Sequence, residues 1–193
     1  MAVPSPSTTF SALYDHILTL PPPLLPPPKP TLAPLTATIS SLFLHPTLEA
    51  ALHILNNDLP SAHFLVRHMQ AAPAYEGMFL HGILHRIEGD YDNARAWYGN
   101  VKDSEAFGKA WNSEEQAREF IGNVEALVKR KDGNEEELQK ESVREIKAVV
   151  QYCREKFGDG EVKDATGAWV QPSDEHKKMQ EEMVTGGKGY RQF

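Results

Sequence analysis

Glu49 and His53 stand four residues apart, and so do His81 and His85. On a helix such pairs share one face, one turn apart. Two imidazoles in that relation can chelate a divalent ion, a third imidazole or a carboxylate can close the tetrahedron, and water can fill any open position. A shift of 32 residues superposes 49–69 on 81–101 and lays Glu49 over His81 and His53 over His85. If the two helices lie side by side, three imidazoles and a carboxylate are expected to converge. Glu49, His53, His81 and His85 are therefore the candidate metal ligands, with zinc as the type of ion, although the leading expectation is a protein without a cofactor. Gly82 stands where a zincin has its glutamate base, so that mechanism is not implied.

Two other readings of the same residues compete. In the first, the rings are structural and Glu88, Asp90 and Arg86 satisfy their nitrogens. In the second, a pocket works without metal: Arg86 grips a carboxylate or phosphate bidentately, and His85, with Glu88 as a further catalytic candidate, moves protons near neutral pH. His53, His81, His85, Arg86 and Trp97 are then the ligand-binding candidates. Trp97 belongs to an aromatic group with Tyr98, Trp111, Tyr75, Phe79 and Tyr91, for which core packing is the first explanation and a peptide groove the alternative. His63 and His68, five apart, splay on a helix and are not both assigned to a site. Cys153 lies on an apolar helix face and is expected to be buried and inert.

The elements that would position these groups read as helices throughout. Each copy of the 32-residue pattern has a helix, an Asp-containing turn (Asn57-Asp58, Gly89-Asp90) and a second helix with a small residue, Ala62 or Ala94, where helices must approach closely. The second copy runs from Met78 through Gly82, Gly89-Asp90-Tyr91-Asp92 and Ala94 to Tyr98, and resembles a tetratricopeptide repeat over about fifty residues, 47–101. It departs from that family at His81 and His85 and in its short period. The resemblance implies helical hairpins and a peptide or protein partner held in a groove between the first helices. The pattern His-x3-His-Arg-x-Glu-x-Asp-x2-Asn-Ala is also similar to one in a group of small helical proteins, a likeness that brings no activity with it.

Around this centre, Phe10, Leu13, Tyr14, Ile17, Leu18 and Leu20 predict an amphipathic helix over 8–20, capped by Thr8 or Thr9. Residues 21–34 are dense in proline and are expected to form an extended strap. A helix from Ser113, with a capping box to Gln116, and another over 134–157 are expected to pair as an antiparallel hairpin, with 102–111 irregular between the repeats and this pair. The organisation expected is thus an N-terminal helix (1–20), a proline-rich strap (21–34), a helical repeat domain (35–158) and a loosely ordered polar tail (159–193) with a short helix over 173–184. The fold class is all-α, with tetratricopeptide-like hairpins.

Composition narrows the function classes. The 193 residues carry 20 Lys and Arg against 27 Asp and Glu, a net charge of −7 that argues against gripping a phosphate backbone. No apolar stretch is long enough to span a bilayer and no secretory leader is apparent, so a cytoplasmic protein without membrane or nucleic-acid partners is expected. One cysteine excludes an internal disulfide framework. A small interaction module binding a peptide or protein is the first expectation, a metal-binding protein or enzyme the alternative, and the oligomeric state is open.

Overall fold

The structure, a computed structural model, describes residues 9–27 and 29–170. Among the described residues the chain is all-helical: nine α-helices, one short 3-10 turn (Thr166–Ala168) and a single isolated bridge between Met69 and Val170. The helices are α1 (Phe10–Ile17), α2 (Leu35–Ser40), α3 (Pro46–Leu55), α4 (Leu59–Val66), α5 (Tyr75–Glu88), α6 (Tyr91–Val101), α7 (Glu105–Ala110), α8 (Glu114–Arg130) and α9 (Glu135–Phe157). Among the described residues no helix is long and apolar enough to cross a membrane.

Local chemistry sets most helix starts. Thr9, Ser104, Ser113 and Asn134 each cap a helix by accepting a backbone N–H three residues on, which satisfies a donor the helix cannot. The turns before α4 and α6 share one geometry. Asp58 and Asp90 both cap, with φ near −85° and ψ near 70°, and accept from Ser61 and Asn93. The residues before them, Asn57 and Gly89, are left-handed, a conformation Gly and Asn tolerate best. In both turns the aspartate N–H donates to the histidine carbonyl five residues back, Asp58 to His53 and Asp90 to His85.

Helix α5 packs most extensively on α6, and α3 on α4, while α4 also reaches α5. Nearly every residue of α3 is buried, as is most of α5, the pattern of helices enclosed on all sides. One expectation is corrected here. Residues 102–111 are not irregular, because Ser104 caps α7 and Ala106, Phe107 and Ala110 fill the core. Helices α8 and α9 touch one another, but α8 lies mainly on α6, whereas α9 lies mainly on α7 and also on α3. The buried stripe of α9, from Leu138 to Cys153, serves several neighbours in turn along its length.

Among the described residues between 21 and 30 there is no helix. Leu20 and Leu24 are buried, the Pro23 carbonyl accepts from Ser142 Oγ at 2.5 Å, and Thr31 N–H donates to the Asn56 carbonyl. Beyond α9, the Trp169 ring lies tilted against His68 at 4.9 Å and Val170 N–H donates to the His68 carbonyl. The short helix expected over 173–184 lies outside the described residues.

Candidate metal centre

The structure draws together three imidazoles: His81 and His85 from α5 and His63 from α4. Each offers one nitrogen, and the three nitrogens lie within 4.8 Å of one another. The i,i+4 spacing puts His81 and His85 on one face of α5, where their rings stack at 4.7 Å. His63 meets both edge-on at 5.3 Å because α4 packs against α5. Trp97, from α6, covers the other side of His81 at 4.6 Å. His81 is 4% exposed.

Glu88, three residues beyond His85, supplies the carboxylate. His63 Nε2 donates to Glu88 Oε2 at 2.9 Å, and His85 Nδ1 lies 3.4 Å from the same oxygen. The Asn93 amide donates to His85 Nε2 at 3.1 Å. Burial alone would raise the Glu88 carboxyl, but the hydrogen bond from His63 and the adjoining His85 ring outweigh it and hold it at about 2. His81 is pushed down to about 2, first by burial and then by His85, His63 and the nearby Arg67. His81 is therefore a neutral imidazole at physiological pH, the form that binds metal. The Nδ1 atoms of His63, His81 and His85 are all buried and hold no hydrogen-bond partner. Because His63 Nε2 donates to Glu88, the His63 lone pair is on Nδ1, whereas His85 Nε2 accepts from Asn93 and the His85 proton is therefore on Nδ1, toward Glu88.

The other expected ligands are elsewhere. His53 is 1% exposed within α3, with Nδ1 3.2 Å from Asp58 Oδ2 and Nε2 3.7 Å from Glu49 Oε1. Glu49 and His53 thus form a separate group with Asp58 and do not join His81 and His85, and His53 Nδ1 is likewise buried without a hydrogen-bond partner. The convergence of Glu49 and His53 with His81 and His85 is corrected to a convergence of His63 with that second pair. The place of His63 follows from hairpin order: α4 adjoins α5, so its face was as available as that of α3. His68, one helical turn beyond Phe64, bonds the Phe64 carbonyl and meets the Trp169 ring at a tilt instead.

Arg86 does not face the histidines. It is fully buried, donates to Glu145 Oε2 at 2.9 Å and to Ser142 Oγ at 3.0 Å, and lies 4.8 Å over the Phe120 ring. Tyr98 and Trp111 complete the set by donating to Glu145 Oε1 at 2.6 and 2.7 Å. A side chain so enclosed cannot reach a ligand, which removes Arg86 from the binding and catalytic candidates. Trp111 is likewise a buried hydrogen-bonding residue, not an exposed groove aromatic. Cys153 is buried, and burial pushes its thiol up to about 12.

A cavity of about 1040 Å³ opens beside the histidine cluster, lined by the proline-rich residues, Leu59, Pro60 and Phe64 of α4, and the polar groups Lys29, His63, Arg67 and Glu88. It lies between the proline-rich segment and α4, not between α3 and α5, where the peptide groove was expected. Comparison of the chain with models of protein families, with curated proteins and with solved structures gives no match.

Proposed function

We propose that this protein binds a divalent transition metal of the zinc class through His63, His81 and His85. Glu88 is the adjoining carboxylate: it orients the His63 ring as second-layer acids do for metal-bound histidines, and it adds negative charge beside the three imidazoles. Three nitrogen ligands leave a fourth position for water or a bound molecule, the arrangement of reactive metal sites. The observation that carries this reading is the meeting of three imidazoles from two helices, one nitrogen of each within 4.8 Å of the others.

The test is metal content. Protein purified without a polyhistidine tag and exposed to zinc should hold one equivalent after gel filtration. His63→Ala, His81→Ala and His85→Ala should each lose most of it while their helical circular dichroism is retained, and His53→Ala should keep it. Absence of bound metal in the unsubstituted protein, or equal content in folded His81→Ala, would sink the proposal.

A second reading, the protein-binding helical module that the tetratricopeptide resemblance implies, is favoured by Phe64, which is 66% exposed at the edge of the cavity. It calls for a partner whose capture is lost in Phe64→Ser, a variant whose metal content is unchanged.

A further inference from the structure

The cavity beside the histidines has the wrong chemistry for a purely apolar guest. Arg67, the C-cap residue of α4, follows His63 by four residues and lines the same cavity, one turn on from a metal-ligand candidate. Lys29 faces the cavity from the proline-rich segment. Among the described residues neither Arg67 nor Lys29 makes an ion pair or a side-chain hydrogen bond, whereas most other arginines, including Arg86, Arg95, Arg118, Arg144 and Arg154, have acidic partners. Glu88, the one carboxylate on the wall, is already engaged by His63 and His85. The cavity thus presents two uncommitted cations, while Pro26, Leu59, Pro60 and Phe64 make the rest of its lining apolar.

We infer that this cavity binds an organic oxyanion on an apolar body, its anionic group shared between Arg67 and the open position of the metal and its apolar part resting on Phe64 and the prolines. This rests on the metal reading above. A guanidinium matches the planar pair of oxygens of a carboxylate and equally the oxygens of a phosphate ester, and charge-assisted bonds of this kind are about twice as strong as neutral ones. The volume suits a small molecule, since ligand pockets run to about 300–1,000 Å³. Coordination would place the guest's oxygen beside a Lewis acid, next to Glu88.

The experiment titrates the full zinc-loaded chain calorimetrically with phenylacetate, phenyl phosphate and the neutral phenylacetamide. At least one anion should bind at least tenfold more tightly than the amide, and the tighter of the two identifies the anionic group. Arg67→Ala should weaken that binding about tenfold or more with its zinc content unchanged, and Arg67→Lys should restore part of it. Phe64→Ala should weaken the anion and leave inorganic phosphate unaffected. If the zinc-loaded protein binds amide and anions equally, or Arg67→Ala binds as tightly as the unsubstituted chain, the anion site is overturned and the metal reading stands. If the metal-free chain binds the anion with undiminished affinity, the shared coordination is overturned. If the chain holds no zinc, both fall together.

Discussion

At the scale of single residues, the state of His81 has a consequence for acid stability. Its folded-state pKa of about 2 lies far below the ordinary histidine value of 6.5. Between these values the unfolded chain binds a proton that the folded chain excludes, so stability falls as pH drops below about 6.5, by at most about 1.4 kcal/mol per pH unit from this one group. Urea unfolding from pH 6.5 to 4.5 in the presence of a chelator should show that loss, and His81→Phe, which stacks on Trp97 without a titrating nitrogen, should flatten the slope by about one proton. An unchanged slope in that variant would mean that His81 is not the group excluded from protonation. Half of the site was legible here because the His81/His85 spacing is local and the helix period converts it directly into a shared face. His63 was not, because its partners come from another helix and no spacing within α4 announces them. The role of Arg86 was hidden for the same reason: its counter-charge, Glu145, lies 59 residues further along.

At the scale of elements, close approach of α5 and α6 depends on Gly82. A Cβ built there would meet Tyr98 Cδ2 at 2.8 Å and Trp97 Cβ at 2.9 Å, and the Tyr98 ring is buried and held by Glu145. Alanine favours a helix over glycine by about 1 kcal/mol, but overpacking a fixed neighbour costs about 1–3 kcal/mol. Gly82→Ala should therefore be destabilising by up to about 2 kcal/mol in denaturant titration, and it should loosen Trp97 from His81. Gly122→Ala in α8, with nothing within 4 Å of the added carbon, should stabilise by about 0.5–1 kcal/mol. A matching sign for both variants would contradict the packing of α5 on α6. Helix starts were the most legible elements, since Thr9, Ser113 and Asn134 act on their own following turn. Helix α7 escaped notice because six residues show too little periodicity to stand out, and the partners of α8 and α9 depend on which faces the earlier helices leave uncovered.

At the scale of the whole molecule, the Arg86–Glu145 pair and its donors tie α5, α6 and α9 together inside the core. Removing one charge from a buried pair costs about 3–5 kcal/mol, because the survivor stays desolvated. Glu145→Gln should lower the unfolding free energy by about that much, with a single transition in denaturant reported equally by tryptophan fluorescence and circular dichroism. A loss below about 1 kcal/mol would show that Arg86 finds another partner. The all-helical class was readable from periodicity, but the tie between the first and last thirds was not, since the bond from Ser142 to the Pro23 carbonyl spans 119 residues. That bond, with α9 seated against α3 and α7, sets an order of events on the ribosome. A nascent chain that has emerged only as far as α8 already contains Arg86, Tyr98 and the proline-rich stretch but lacks the helix that neutralises and covers them. Its interior stays open to proteases and chaperones until translation has delivered α9.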